Sequence, residues 1–225
     1  MNAMILAAGR GERMRPLTDN RPKPLLDVGG RPLIDWHLQA LARAGFRRVI
    51  INTAWQGRKL RGYVGDGRAW GVDARYSEEG DHALETAGGI AHALALLGPN
   101  PFAVINGDIY TDYPFEDLEL PAGCLAHLVL VDNPLQHPNG DFAFDGARVT
   151  TGTSARLTFA GIGVYRPALF SGLPRRPLRL APILRRAIAA GLVSGEHYRG
   201  AWHDIGTPER LRELDGRLQR SHRPR

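Results

Sequence analysis

A loop near the start of the chain combines residues that can bind a phosphate. It follows a short apolar run at residues 3–8 and contains two glycines and three arginines: Gly9, Gly11, Arg10, Arg13 and Arg15. Glycines let backbone N–H groups turn towards an anion, and arginines neutralise its charge. Lys23 follows between two prolines, which restrict the backbone on either side of it. The pattern predicts a phosphate cradle with a separately held cation.

Lys23 is informative because the chain rarely uses lysine. The 29 basic residues besides histidine include only two lysines, Lys23 and Lys59. A compact ammonium differs from the planar guanidinium of arginine. The third glycine of a dinucleotide-binding loop is absent, and so is the Gly-Lys-Ser/Thr of a Walker loop. The remaining alternative is a surface loop with solvated arginines, which the prolines around Lys23 disfavour.

Two carboxylates stand where a sheet would present them to a ligand. Asp108 follows a predicted strand at residues 102–105, and Asp204 lies just ahead of Gly206. Ligands of open α/β sheets bind outside the carboxyl ends of the strands. Two carboxylates beside a polyphosphate are suited to hold Mg²⁺. The alternatives are that Asp108 caps a turn and that Asp204 belongs to the start of the last helix.

The elements that must position these residues alternate between strand and helix in the first half. Apolar periodicity predicts helices at 32–44, 57–64 and 88–97, the last one capped by Thr86, and strands at 3–8, 48–52, 72–76 and 102–105. This order predicts an α/β, Rossmann-like doubly wound fold with a mostly parallel mixed sheet.

The second half is predicted to add a small lobe of mixed strands. Strands are expected at 125–131 and 157–165 and strand-like segments at 197–199 and 201–203, with a hairpin at 141–150 around Asp145-Gly146 and a helix at 180–190. Thr207 caps the final helix, with Pro208 and Glu209 in its first turn. We expect one domain at 1–220: a first half at about 1–110, a second half at about 111–206 and a C-terminal helix at 207–220. Residues 221–225 are expected to be a disordered tail.

The composition of the chain limits the kinds of partner that it is expected to bind. The chain has 225 residues, a formal charge of +6 and one cysteine, Cys124, so no disulfide framework is expected. No run of 18 apolar residues and no signal peptide are seen, which favours the cytoplasm and no membrane contact. The arginines are scattered and no nucleic-acid motif is present, so an anionic small substrate is expected rather than nucleic acid. The sequence is consistent with a monomer or a small homo-oligomer.

Four motifs resemble the sugar-1-phosphate nucleotidyltransferase family. They are Leu6-Ala7-Ala8-Gly9-x-Gly11-x-Arg13-Met14-x-Pro16-Leu17-Thr18, Pro22-Lys23-Pro24-Leu25, Asn106-Gly107-Asp108 and Trp202-x-Asp204-Ile205-Gly206-Thr207. Their order and spacing match the family from Met4 to about Arg220. The resemblance implies attack of a sugar 1-phosphate on the α-phosphorus of a nucleoside triphosphate, with loss of pyrophosphate. Such a reaction needs positioning and charge stabilisation rather than a nucleophilic side chain.

The resemblance implies that residues 1–110 form the nucleotide-binding half and residues 111–206 the sugar-phosphate-binding half, with the small mixed-strand lobe as the sugar-binding lobe. It also implies roles for individual residues. Arg15 and Lys23 are the implied catalytic residues, and Asp108 and Asp204 the implied Mg²⁺ ligands. The implied nucleotide-binding residues are Ala8, Gly9, Gly11, Glu12, Arg13, Lys23, Glu85, Thr86, Gly88 and Asn106. The implied sugar-phosphate-binding residues are Asn106, Gly140, Asp141, Gly161, Glu196 and Asp204.

Within the family, the short form of the chain and two segments, 84–89 and 195–200, are similar to members that act on N-acetylmuramic acid α-1-phosphate. The resemblance therefore implies UTP as the nucleotide. Glu85 departs from the family, where relatives commonly place Gly-Thr. Transfer of a guanylyl group to mannose 1-phosphate, of a thymidylyl group to glucose 1-phosphate or of a cytidylyl group to choline phosphate are alternatives. A catalytically silent, nucleotide-sugar-binding regulatory subunit is the non-enzyme alternative.

Overall fold

A twisted sheet with helices on both faces forms the centre of the molecule. The computed structural model describes residues 1–152 and 155–221. Within them the α-helices are α1 Leu33–Arg43, α2 Gly57–Val64, α3 Glu85–Leu97, α4 Leu180–Ala189 and α5 Pro208–Ser221. The strands are β1 Asn2–Leu6, β2 Asp27–Val28, β3 Arg31–Pro32, β4 Arg48–Thr53, β5 Asp73–Glu78, β6 Phe102–Asn106, β7 Ile109–Thr111, β8 Ala126–Val131, β9 Phe142–Phe144, β10 Val149–Thr150, β11 Arg156–Tyr165, β12 Val193–His197 and β13 Trp202–Asp204.

The first half of the chain builds the parallel part of the sheet. The strand order is β10-β9-β11-β6-β1-β4-β5, and β6, β1, β4 and β5 run parallel to one another. The helical segments between them cover both faces, as right-handed crossovers require. The prediction of a doubly wound α/β fold is confirmed. All four parallel strands point their carboxyl ends to the same edge, where the site is built.

The second half continues the same sheet. Strand β11 is antiparallel to β6, β8 and β9, and β12 pairs with β8 in parallel. The predicted hairpin at Asp145-Gly146 forms between β9 and β10. The register of β11 with β8 shifts between Phe159 and Ile162, where Gly161 has a φ of +75°. The mixed strands thus extend the central sheet beyond β6.

The apolar run at the start of the chain becomes the fully buried strand β1. Met4 and Ile5 are both fully buried because a central parallel strand is covered on its two faces. Ile5 faces a core shared with Leu38 of α1 and Leu60 of α2. Met4 faces the other core, which includes Ile90 of α3. The loop after β1 therefore starts from a rigid base.

A third core joins the beginning of the chain to its last helix. Met14, from the loop after β1, packs in one cluster with Ile205 and with three leucines of α5: Leu211, Leu214 and Leu218. Val28 and Leu33 complete its other side. The phosphate loop thus has an apolar floor made by residues distant from it in sequence.

The start of α3 differs from its prediction. The helix begins at Glu85, with Leu84 as its N-cap residue, so Thr86 lies inside the first turn and does not cap it. The N–H groups of Ala87 and Gly88 donate instead to the carbonyl of Leu178, at 2.9 and 3.2 Å. A remote backbone carbonyl takes the place of the expected threonine hydroxyl.

The last helix extends one residue beyond its predicted end. Helix α5 begins at Pro208 and reaches Ser221, the first residue of the predicted tail. The remaining tail residues, 222–225, lie outside the described residues. Among the helices that are described, none has the length and apolar character needed to cross a bilayer.

Candidate active site

A cavity of about 950 Å³ lies over the carboxyl ends of β1, β4 and β6. Its walls include most of the residues that the sequence suggested for nucleotide and metal: Ala8, Gly9, Gly11, Glu12, Arg13, Lys23, Glu85, Thr86, Asn106 and Asp108. Gly88 is not among them. Its α-carbon lies against the segment before α4, where an added Cβ would be 2.4 Å from the carbonyl oxygen of Arg176.

The glycine loop forms one wall of this cavity. Gly11 has a φ of +67°, and its carbonyl accepts hydrogen bonds from Met14 N and Thr18 Oγ1, both at 2.8 Å. Within the described part of the chain, the N–H groups of Gly9, Arg10 and Gly11 donate to no protein acceptor. Backbone N–H groups of a glycine loop that are left free in this way can bind an anion.

Lys23 is held in a nearly buried position at the side of the loop. It begins a short 3-10 helix, Lys23–Leu25, and is only 8% exposed. Its Nζ donates to Asp108 Oδ2 at 2.8 Å, so the cation and the carboxylate meet inside the cavity. A buried charge with a single charged partner is costly unless a ligand also uses it.

Two short strands connect the backbones of Asp108 and Asp204. Strands β7 and β13 pair with Asp204 opposite Ile109, and Ile205 N donates to the carbonyl of Asp108 at 2.9 Å. The carboxylate of Asp204 accepts a hydrogen bond from Arg210, and Asp204 lines a smaller cavity of about 140 Å³ instead of the large cavity that Asp108 lines. The structure thus brings the two backbones together, whereas the two residues line different cavities.

The arginines of the loop have different environments. Arg10 and Arg13 line the cavity, and the guanidinium of Arg10 stacks 4.6 Å from the ring centre of Trp55. Arg15 is exposed, does not line this cavity and pairs with Asp19 through Nε at 2.5 Å. The structure therefore places Arg15 at the outer side of the loop.

Two polar residues that the sequence did not single out connect the loop to the other side of the cavity. Asn52 lies one residue before the end of β4, where its Oδ1 accepts from Ala7 N at 2.6 Å and its Nδ2 donates to Glu79 Oε1 at 2.7 Å. The second carboxylate oxygen of Glu79 accepts from Leu84 N at 2.6 Å. Asn52 is the last residue of the strand predicted at 48–52, so the rule that pointed to Asp108 would also have found it.

The residues suggested for the sugar phosphate are spread over a wider area. Gly161 packs on Asn106, since a Cβ there would lie 2.5 Å from Asn106 Nδ2. Gly140, with a φ of +57°, is followed by Asp141, which accepts from Phe159 N at 2.9 Å and pairs with His137 at 3.1 Å. Of the suggested sugar residues, only Asn106 lines the large cavity.

Glu196 belongs to a polar cluster on β12. It accepts a hydrogen bond from the hydroxyl of Tyr113 and lies 3.6 Å from His127 Nε2. The imidazole of His127, followed by the hydroxyl of Tyr113, holds the pKa of Glu196 below its ordinary value, and partial burial opposes this. Burial and the same carboxylate raise the pKa of Tyr113. Glu196 is therefore an ionised acceptor.

Comparison with known proteins identifies the family of the chain. The model of the family described as "Nucleotidyl transferase" matches residues 2–120. The chain is 51% identical over 222 residues to the N-acetylmuramate α-1-phosphate uridylyltransferase of Neisseria meningitidis serogroup B, covering 95% of this chain and 96% of that one. It is 33% identical to the protein of the same name from Caulobacter vibrioides, with 96% of both chains covered.

A solved structure gives the same result for the fold. A UDP-glucose pyrophosphorylase complexed with UDP-glucose superposes with a TM-score of 0.80 at 18% identity, covering 98% of this chain and 99% of that one. At this identity the likeness concerns the fold alone.

Proposed function

Since the chain belongs to the nucleotidyl transferase family, we propose that it transfers a uridylyl group from UTP to N-acetylmuramic acid α-1-phosphate. The products are the UDP-sugar and pyrophosphate. The chemistry is supported by one observation above all: Lys23 and Asp108 meet at 2.8 Å in a cavity whose wall is the glycine loop. The choice of base and sugar is supported by the 51% identity to a relative of that name.

The proposed reaction is a direct displacement. An oxygen of the sugar phosphate forms a bond to the α-phosphorus of UTP, and the bond from that phosphorus to the bridging oxygen of the β-phosphate breaks. The chain supplies positioning and charge. The N–H groups of Gly9, Arg10 and Gly11 bind the triphosphate, Arg13 adds charge, and Lys23 neutralises the oxygens at the reacting phosphorus. Arg15 adds positive charge from the outer side of the loop, outside the cavity.

The donor set also fits a divalent cation. Asp108 lies directly before β7, and Asp204 is the last residue of the partner strand β13; their hard carboxylate oxygens suit Mg²⁺. Within the described ranges, no group of three or more acidic, histidine or cysteine residues could hold a metal. The remaining ligands would therefore be phosphate oxygens and water, as Mg²⁺ prefers. The bound cation would supply further charge neutralisation at the phosphates.

The sugar would lie on the side of β11. Asn106 and Gly161 meet there, Gly140 and Asp141 lie directly before β9, and Glu196 lies on β12 of the same sheet. These residues present acceptors and a close backbone approach, which suit the hydroxyl and amide groups of an amino sugar. We place the reaction in the cytoplasm and assign its product to the recycling of cell-wall sugars.

The test is a matrix of nucleotides and sugar phosphates. UTP, GTP, dTTP and CTP are each combined with the 1-phosphates of N-acetylmuramic acid, mannose and glucose and with choline phosphate, and pyrophosphate release is measured. We expect the highest kcat/KM for UTP with N-acetylmuramic acid 1-phosphate, and loss of turnover when EDTA replaces Mg²⁺. A clear preference for GTP with mannose 1-phosphate would disprove the proposal. Absence of turnover with every pair would favour a regulatory subunit.

A further inference from the structure

An ion pair stands on the rim of the large cavity, formed by residues from the two halves of the chain. Arg179 Nε lies 3.4 Å from Glu85 Oε2, and both residues line the cavity. Their side chains are 81% and 46% exposed. Ion pairs with this exposure contribute little to the stability of a fold. The stability of the protein therefore does not explain why these two charges face the cavity.

The backbone of Glu85 is also unfavourable for its residue type. Its φ is +56°, a left-handed conformation that only Glu85 and Gln56 adopt among the described residues other than glycine. Glycine would adopt this conformation without a steric penalty, whereas a side chain with a Cβ is disfavoured there. Non-glycine residues in such conformations cluster at ligand sites. The carboxylate of Glu85 thus occupies its position at the expense of the local backbone.

The backbones that carry the two side chains are tied together. Leu178 N donates to the carbonyl of Leu84 at 3.0 Å, and the carbonyl of Leu178 accepts from Ala87 and Gly88. The residue before Arg179 is thus hydrogen-bonded to the residues on either side of Glu85. This arrangement holds the carboxylate of Glu85, a hydrogen-bond acceptor, beside the guanidinium of Arg179, which has several N–H donors.

The pair lies on the side of the cavity where a base would be placed. Asp108 follows β6, the glycine loop follows β1, Asn52 lies near the end of β4, and Glu79 follows β5. Neighbouring strands are about 4.8 Å apart. The distance from Asp108 across the site therefore increases with each strand in the order β6-β1-β4-β5. Glu79 receives the N–H of Leu84, directly before Glu85. A nucleotide held by its phosphates at β6 and β1 would extend its base towards this side.

We propose that Glu85 and Arg179 together read the hydrogen-bonding edge of the base. Glu85 accepts the ring N–H, and Arg179 donates to the carbonyl oxygen beside it. Uracil and thymine present such an N–H between two carbonyl groups, and guanine presents one N–H beside a single carbonyl. Cytosine and adenine present a ring nitrogen lone pair, which would face the carboxylate, and an amino group, which would face the guanidinium.

This inference rests on the proposed function only for the identity of the base that the enzyme uses. It makes Arg179, from the second half of the chain, a specificity-determining residue of the nucleotide site. A hydrogen bond to a charged group is among the stronger ones. We therefore expect the loss of either charged side chain to weaken the binding of a uridine nucleotide about 10- to 100-fold.

The experiment measures equilibrium binding of UDP, CDP and GDP by calorimetry, without a sugar phosphate. We expect the wild-type protein to bind UDP at least about 10-fold more tightly than CDP. Glu85→Gln and Arg179→Gln should weaken UDP binding and reduce the ratio of UDP to CDP affinity, since a glutamine amide can also donate to the cytosine ring nitrogen. Glu78→Gln and Arg61→Gln are matched controls: they remove an exposed ion pair of 2.9 Å that does not line the cavity, and both affinities should remain unchanged.

A second variant separates recognition from structure. Glu85→Gly relieves the left-handed backbone, so it should melt no lower than the wild-type protein while losing the preference for UDP over CDP. Unchanged UDP-to-CDP ratios in Glu85→Gln, Glu85→Gly and Arg179→Gln would overturn the inference. Preference for GDP over UDP would disprove uridylyl transfer but support the reading of a ring N–H. If all variants bind UDP and CDP more weakly but with an unchanged affinity ratio, the pair holds the nucleotide without reading its base, and the inference is overturned.

Discussion

Lys23 shows how much a single residue can indicate. Arginine is the default cation of this chain, and the lysine stands between prolines at the edge of the glycine loop. In the folded protein it is nearly buried and touches Asp108. A surface role would not require this burial. The chain therefore holds a compact charge in place before any ligand binds, which is what stabilisation of a transition state requires.

Replacing Lys23 tests this role. We expect Lys23→Gln to lower kcat by about 100-fold or more, because the charge acts where negative charge develops. Circular dichroism should show a folded protein. Lys59→Gln is the matched control, since Lys59 is exposed and donates to the carbonyl of Asn20 outside the cavity. It should leave pyrophosphate release unchanged. Turnover near the wild-type rate in Lys23→Gln would remove this residue from the catalytic step.

Two site residues that the sequence did not reveal have a common property. Glu79 and Arg179 owe their place in the cavity to contacts between segments far apart in the chain. Local patterns indicate strand ends and loops, as they did for Asp108, but they do not tell which loop reaches across to another. Arg179 had no local signal, because it is one of many arginines.

At the scale of elements, the start of α3 is set by the segment before α4. The carbonyl of Leu178 accepts two N–H groups of the first turn, and Gly88 allows the two backbones to approach. This is why the helix begins earlier than its sequence pattern predicts, and why Thr86 is not needed as a cap. Local patterning predicted that the helix exists, whereas a tertiary contact determined its first residue.

Gly88 is therefore expected to tolerate no side chain. In Gly88→Ala the new Cβ would lie 2.4 Å from the carbonyl oxygen of Arg176, which should destabilise the protein by about 1–3 kcal/mol. The displaced segment carries Arg179, so UDP binding should weaken as well. Gly62→Ala in α2 meets no atom within 4 Å and should stabilise the protein by about 0.5–1 kcal/mol. Urea denaturation measures both changes, and equal stability of the two variants would contradict the close approach at Gly88.

At the scale of the whole molecule, one buried histidine links stability to pH. His37 lies on α1, and burial lowers its pKa from 6.5 to about 4, with a smaller opposing effect of the Ile109 backbone. Within the described structure its Nε2 has no hydrogen-bond partner. The folded state thus holds His37 neutral where the unfolded chain would already bind a proton.

The free energy of unfolding should fall as the pH is lowered from 6.5 to 4, because protons bind the unfolded chain preferentially in that range. Above pH 6.5 this contribution is fully present. Its full size is about 3 kcal/mol at 1.4 kcal/mol per unit of pKa. His37→Leu should flatten the dependence, whereas His82→Gln, on an exposed loop, should not. Denaturant titrations at several pH values give the slope, and an unchanged slope in His37→Leu would refute this origin.

The overall fold was largely predictable because its signals are local and repeated. The alternation of buried strands with amphipathic helices indicates a doubly wound sheet, and the motifs mark its carboxyl edge. The pairing of β11 with both β6 and β8 has no comparable signal, since antiparallel partners are chosen by tertiary packing rather than by periodicity. The sugar side of the site depends on that pairing, so it was harder to predict from the sequence than the nucleotide side.

The third core also has a consequence for how the protein is made. Met14 leaves the ribosome early, whereas Leu211, Leu214 and Leu218, which pack with it, are translated later by on the order of ten seconds or more. During this interval the glycine loop lacks its floor, and Asp204 has not yet been joined to the chain. In a nascent chain stalled before α5, the glycine loop would therefore be unable to support turnover. Activity should arise only when synthesis has passed α5, so translation itself sets the moment at which the enzyme begins to consume its nucleotide.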